Sequence, residues 1–566
     1  MILLSMLTIS LMSMVVAQVA ATEIAISANL TAAERSFLPA DGASQVLLRD
    51  LMEMSRSLGR FPTDAELDTI IAPSFTHVTL TEFHAHAVGP IEASTLTDSL
   101  YVGLSAEIQQ FSVTVTAELA GPPESTTTVE IQGEYAEIPI FQFGVLYEGD
   151  LDVHPGPAMT ISGRVHSNSD VYLDPNAGGL VSFESTLTTN GGIYNRHEAG
   201  YVAGGGVQIM DSTATYQAMA GLDSDSPTWS SDAISRWDGR VRSGSIGADR
   251  LDLAIEDPTN PRLIIEAGRA ADSPADQAAK IWYEAGLRIV NGLGYDALGN
   301  LVSLTDPVSG DSALRYTELY DWREQKYMLT VEVDLDKLGR SPGYPANGIV
   351  YLGAFEPDAD FASWPGGATG VGPPEWETFP APWASSFTEF AFKTRHSTTL
   401  TGDLTIVTEN PMYMQGNYNT TNKKAAAVMA DAITMLSNNW GDIDGDGNFD
   451  DDLNYSLLDL SLRNALATTM NAALMTGNVD VGAIYNGGLE NLPRLLERWT
   501  NVELNLLGSL AALWGSGYAT GTFGKGGVYS APLRNWSFDT DFLDLTKLPP
   551  ATPRIYQFAI TGWSRS

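Results

Sequence analysis

Hydrophobic residues fill Met1 to Ala21 with no charge among them, diluted by Ser5, Thr8, Ser10, Ser13 and Gln18. The chain then turns polar through Glu23, Glu34 and Arg35, and no Gly or Pro breaks the run before Pro39. This pattern predicts one helix over 1–38, ~57 Å long at about 1.5 Å per residue. Helical spacing continues to Leu58, and Pro62-Thr63-Asp64 caps a short second helix over Thr63–Ile71. From residue 73 the period drops to two. Tyr101–Ala106, Phe111–Ala117 and Thr127–Gln132 alternate as half-buried strands, with a turn at Gly121-Pro122-Pro123.

After Pro139 the texture changes again. Short apolar runs at 159–161, 165, 171–173, 181–183 and 192–194 are separated by Gly, Asn and Asp. That spacing suits a β-solenoid of short rungs and tight turns; without a strict repeat, an ordinary sandwich is the alternative. The texture returns at Leu400–Val407 and Met412–Asn419. Between them, 225–395 reads as an excursion with a helix over Pro274–Glu284, strands at 328–334 and 348–353, and Gly/Pro-rich loops at 341–346 and 365–382. Helices are predicted at Lys423–Ser437, Leu457–Thr476 and Leu492–Thr500, while Leu504–Trp514 suits strand or helix. The predicted fold is mainly β with α. A helical stem (1–58) leads to a small antiparallel β domain (59–146) and a first solenoid-like segment (147–224). An inserted mixed segment (225–395) and a second β-rich segment with helices (396–566) follow.

The stem decides the functional class. A secretory signal has a basic start, a short apolar core and a small-residue cleavage site. Here no Lys or Arg precedes the apolar run, although Val19-Ala20-Ala21 could serve for cleavage. A membrane span needs about 20 apolar residues, which 1–22 meets narrowly. Small and hydroxylated residues along such a helix favour close packing with other helices.

Composition narrows the choice. The 566 residues include 69 acids against 31 bases, for a net charge of −38, which argues against nucleic-acid binding. It suits an acidic, solvated surface, divalent cations or a saline setting. There is no Cys, so disulfides and thiolate metal sites are excluded. An exported chain of this size then needs large buried area, bound calcium or subunit packing for stability.

The stretch Ile26-Ser27-Ala28-Asn29-Leu30-Thr31-Ala32-Ala33-Glu34-Arg35-Ser36-Phe37-Leu38-Pro39-Ala40-Asp41-Gly42-Ala43 resembles the end of the N-terminal helix of PilX-type pilus assembly proteins. The shared features are the Ala-Asn step, the polar run, and the Phe followed by small residues and an acid. The sequence departs from type IV pilins at Pro39, and at Ser5, where major pilins carry an early glutamate; the first acid here is Glu23. No prepilin leader precedes Met1, which points to numbering from a processed end or to another export route. The block from Gly144 onward, including Gly163–Asn168, Asn410–Asn419 and Pro549-Pro550-Ala551-Thr552-Pro553, resembles large uncharacterised bacterial proteins that begin with a PilX-type helix.

The sharpest chemical motif is Gly441-Asp442-Ile443-Asp444-Gly445-Asp446-Gly447-Asn448-Phe449-Asp450-Asp451-Asp452. Asp442, Asp444 and Asp446 fall at the first, third and fifth positions of a calcium loop, with Gly447 at the sharp turn. Asn448 would offer its carbonyl and Asp450 fits the ninth position. Leu453 occupies the twelfth position, so Asp451 or Asp452 would close the shell. The loop is expected to follow a helix ending near Trp440. Hard oxygen ligands in this number suit Ca2+ better than Mg2+. Elsewhere, His84-Ala85-His86 puts two histidines on one strand face and reads as a polar strand end, short of a full ligand set. His154, His166 and His197 lack a nucleophile elbow, and His166 reads as a hydrogen-bonded turn residue. Gly204-Gly205-Gly206 lacks the Lys and Ser/Thr of a phosphate loop.

These readings give an expectation of a structural subunit of an extracellular type IV pilus-like filament, or a pilus assembly component, and not an enzyme. The N-terminal helix would anchor it in the inner membrane before assembly and then pack with copies of itself or other pilins. The displayed body would be stabilised by calcium. The alternative is a secreted β-solenoid adhesin or polysaccharide-active enzyme with 1–21 removed.

Overall fold

The computed structural model describes residues 2–97, 100–354, 387–443, 449, 451–479, 488–521 and 527–566. One helix, α1 (Ile2–Leu58), carries the whole N-terminal pattern and passes through Pro39 without ending. It has two halves. Every residue from Ile9 to Thr31 is exposed. From there on, Ala32, Ser36, Ala40, Ala43, Leu47, Leu51 and Ser55 are buried at three- and four-residue spacing, which makes one apolar stripe. A short helix, α2 (Asp64–Leu67), follows, shorter than the pattern over 63–71 suggested. Its first turn is fixed by Glu66, whose Oε2 accepts the Thr63 N–H at 2.8 Å.

The buried stripe of α1 lies on a four-stranded antiparallel sheet. Three strands are consecutive: β1 (Val78–Thr95), β2 (Ser105–Leu119) and β3 (Ser125–Pro139). The fourth, Arg554–Arg565, is the last strand of the chain, pairing with β3 from Arg554↔Pro139 to Arg565↔Val129. Everything between Pro139 and Arg554 therefore leaves and rejoins this sheet at one point. Phe111, Val113, Val115, Val129 and Ile131 meet Leu47 and Leu51 in a common core. Each such aliphatic side chain contributes about 1.5–3 kcal/mol on burial. Gly133 is required beside Phe111, because a Cβ there would lie 2.4 Å from the ring. Two strands escaped the sequence pattern. β1 is exposed on most of both faces, and the fourth strand comes from the far end of the chain.

The body begins with nine short strands: β4 (Val145–Tyr147), β5 (Leu151–Val153), β6 (Met159–Ile161), β7 (Val165–Ser167), β8 (Val171–Leu173), β9 (Leu180–Phe183), β10 (Leu187–Thr189), β11 (Ile193–Tyr194) and β12 (Gly206–Met210). Every third strand pairs in parallel: β4 with β7 and β7 with β10, β5 with β8 and β8 with β11, β6 with β9 and β9 with β12. Val145, Val165 and Leu187 stand in register, each roughly twenty positions beyond the last. Their side chains join Val171, Val181 and Ile193 in the largest core.

A second set of long parallel strands extends this ladder. Leu404–Gln415, Ala426–Leu436, Thr468–Asn478 and Glu503–Gly515 pair in that order, and the last also pairs with β4. The stretch 225–395 enters the same network, because Ile349–Gly353 and Phe387–Arg395 both pair with Leu404–Gln415. Three helix predictions are overturned here. Lys423–Ser437 holds the strand Ala426–Leu436, and Leu457–Thr476 runs into the strand Thr468–Asn478. Leu492–Thr500 contains the strand Pro493–Leu495. Their Ala-, Met- and Leu-rich composition favours a helix in isolation. Burial on both faces, complete along Ala426–Leu436, removes the alternation that would have marked a strand. The ambiguous Leu504–Trp514 run is strand. The helix over Pro274–Glu284 is present as two short pieces, Pro274–Ala279 and Ile281–Glu284. The helix Trp229–Trp237 was not foreseen. The predicted loop at 365–382 lies outside the described residues.

Candidate functional site: the bare stem and the acidic loop

From Ile9 to Thr31, α1 presents a mostly apolar, exposed surface. Val16 is 67% exposed and Ile24 70%, and the most apolar window of the helix has mean hydropathy 1.8 with none of it buried. Residues 9–31 span ~34 Å at about 1.5 Å per residue, close to the ~30 Å of a bilayer's hydrocarbon. Three hydroxyls of this stretch are satisfied within the helix. Ser13 Oγ donates to the Ile9 carbonyl at 2.7 Å, Thr22 Oγ1 to Gln18 at 2.8 Å and Thr31 Oγ1 to Ser27 at 2.8 Å. Each therefore enters an apolar environment without an unmet donor. Glu23 is the one charge between Ile9 and Thr31.

The second half fixes this surface relative to the sheet. Ser36 Oγ lies 2.8 Å from Thr127 Oγ1 on β3. Phe37 and Trp563 meet edge to face at 6.3 Å, and the Arg565 guanidinium lies over the Phe37 ring at 4.2 Å. Arg56 Nε donates to Tyr556 Oη at 2.9 Å. The C-terminal strand thus grips the stem at both ends of the buried stripe. Where the stem leaves the sheet, a groove of about 860 Å³ opens between Ile24, Ala28 and Arg35 on one side and Phe75, Leu119 and Pro122 on the other.

The acidic loop is described in part. Asp444, Asp446, Asn448 and Asp450 lie outside the described residues. The loop follows a strand, not the expected helix, with Trp440 fully buried just before it. It leads into the short helix Asp452–Leu457, whose N-terminus Asp451 caps by accepting the Asn454 N–H at 3.2 Å. Asp442 stands at the near end of the loop, next to Gly441. Asp452 sits in a buried charge network. Its Oδ2 contacts Lys393 Nζ at 2.5 Å and accepts from Thr317 Oγ1 at 2.5 Å, while Oδ1 accepts from Trp440 Nε1 at 2.8 Å. Lys393 also meets Glu332 at 2.6 Å and Gln415 Oε1 at 3.0 Å. Burial pushes the Glu332 carboxyl up, but Lys393, with hydrogen bonds from Arg315, outweighs it and leaves the group below its usual range. No sequence motif marked Lys393, which is one of the 31 bases.

The histidines of the body are held by hydrogen bonds. His166 is fully buried between Thr188 Oγ1 at 2.8 Å and Asn168 Oδ1 at 3.1 Å, and burial lowers its pKa to about 4. His154 Nε2 meets Asp152 Oδ1 at 2.7 Å. Burial pulls that imidazole down, but the bond to Asp152 and its charge raise it overall. His197 stacks between His154 at 4.2 Å and Tyr201 at 4.4 Å. His84 and His86 sit far from these, on the exposed face of β1.

No protein-family model matches the chain, and no curated protein is significantly similar to it. Among solved structures, the competence-associated pilin ComZ from Thermus thermophilus is similar at a TM-score of 0.26 and 9% identity. The match spans 95% of this chain and 98% of that one. A likeness of that size leaves the function to be argued from the chain's own geometry.

Proposed function

We propose that this chain is a pilin-like structural subunit of an extracellular filament or of its assembly machinery, held in a membrane by α1 before assembly. One observation carries the reading: a single unbroken helix is bare and mostly apolar over Ile9–Thr31 and packs into the core of the sheet beyond it. Water penalises a bare apolar helix of this length; a bilayer or a bundle of like helices does not. Rigid continuation into the sheet means that whatever holds the stem also orients the body. The body is read as solenoid-like, supported by the parallel pairing of every third strand and the in-register core. We read it as the displayed part and assign it no catalytic role. Calcium is proposed at Asp442, Asp444, Asp446, Asn448 and Asp450, with Asp452 linking the loop to the core and not to the ion.

The test is truncation before the buried stripe. Removing residues 1–31 should yield a soluble monomer by light scattering, whereas the full chain needs detergent or sediments as filaments. A truncated chain that still polymerises, or a full chain that is monomeric without detergent, overturns the proposal. Mass spectrometry of native material adds a second check: a mature chain starting near Thr22 favours the secreted reading instead.

A further inference from the structure

We propose that His84 and His86 form a chelating site for a divalent transition-metal cation on the outer face of β1. The two residues alternate around Ala85, which is buried against α1 and so fixes both imidazoles on the opposite, solvent face. Their rings already lie side by side, with centroids 5.6 Å apart and planes 25° from parallel. Among the described residues neither ring has a hydrogen-bond partner. The cross-strand neighbours are small: Thr114 stands opposite His84 and Ser112 opposite His86. Both rings can therefore turn their nitrogens toward one ion without displacing a packed side chain. β1 is an edge strand of its sheet, so the site is open from the side as well as from above.

The surroundings favour a cation. Glu82 lies on the same face, its Oε2 accepting from Thr116 Oγ1 at 2.6 Å, and Glu130 stands in register with Thr114 on β3. Imidazole nitrogen bonds such ions at about 2.0–2.1 Å and selects copper, nickel and zinc over calcium and magnesium. Two imidazoles from one strand leave the remaining positions to water. Affinity should then follow the order of the metals themselves, copper above nickel and nickel above zinc.

The experiment uses the full chain in detergent with excess Ca2+, which occupies the many carboxylates. Cu2+ is then titrated by calorimetry, and its spectrum is read by electron paramagnetic resonance. One Cu2+ site per chain is expected, with coupling to two imidazole nitrogens. His84→Gln and His86→Gln should each weaken it on the order of tenfold, and the double variant should abolish it. Both side chains are exposed, so circular dichroism should be unchanged in the variants. A double variant that binds Cu2+ as tightly as the parent, or a parent spectrum lacking imidazole nitrogen, overturns the proposal.

Discussion

Replacing Lys393 with methionine should expose how strongly the body depends on one buried cation. Lys393 is fully buried, Asp452 and Glu332 are at most 3% exposed, and the ammonium lies 2.5 and 2.6 Å from their carboxylates. Methionine fills similar volume but leaves both acids facing an apolar side chain. Removing one partner of a buried ion pair costs about 3–5 kcal/mol, mainly through the charge left behind. The sign with pH follows from Glu332. Its folded pKa is depressed, so its contribution to stability is present above the unfolded carboxylate range and is lost as pH falls through the folded value. Without Lys393 the depressing charge is gone and burial, which raises the pKa, remains. Arg315 and Arg395 still compensate in part. The variant should therefore be most destabilised near neutral pH, and the gap to the parent should narrow toward about pH 4 as the carboxylates take up protons. Guanidinium denaturation followed by tryptophan fluorescence at several pH values measures both effects. Trp440, one of the twelve tryptophans, sits in the network and donates to Asp452. A loss below about 1 kcal/mol at pH 7, or a gap that does not change with pH, would refute the electrostatic reasoning.

Other outcomes follow from single groups. His166, lowered to about 4 by burial, keeps its contribution above the unfolded value near 6.5 and loses it as pH falls toward 4. Stability should drop by about 3 kcal/mol across that window, and His166→Gln should flatten the drop; an unchanged slope in urea midpoints contradicts the assignment. Leu51→Ala removes a fully buried side chain between α1 and the sheet, and should cost about 2–5 kcal/mol. Hydrogen exchange should then speed up in β2, β3 and the C-terminal strand while the Ala426–Leu436 ladder stays protected. For the acidic loop, chelator should lower the melting temperature, with Ca2+ restoring it and Mg2+ not. Unchanged melting and metal content would remove calcium from the account.

The chain announces some of this on its face. The uncharged run before Glu23 and the helical spacing beyond it are local properties, so the sequence determines α1 through Leu58 by itself. The short strands at Met159–Ile161, Val171–Leu173 and Leu180–Phe183 are equally legible, as apolar runs set off by Gly, Asn or Asp, whereas Val145–Tyr147, Leu151–Val153 and Leu187–Thr189 carry no such mark. The ligand spacing from Asp442 to Asp450 is likewise a statement about consecutive residues. Tertiary structure decided the rest, for two physical reasons. First, helix and buried parallel strand share one composition: the run Ala426–Leu436 is a strand because neighbours supply its hydrogen bonds and cover both faces, which no local pattern records. Second, the contacts that organise the molecule join residues remote in sequence. The sheet under the stem is completed by Arg554–Arg565, and Asp452, which local spacing offered to a metal, is held by Lys393 across the core. The local pattern thus determines that α1 is one helix, and packing decides that one stripe of it is buried from Ala32 onward while Ile9–Thr31 stays bare.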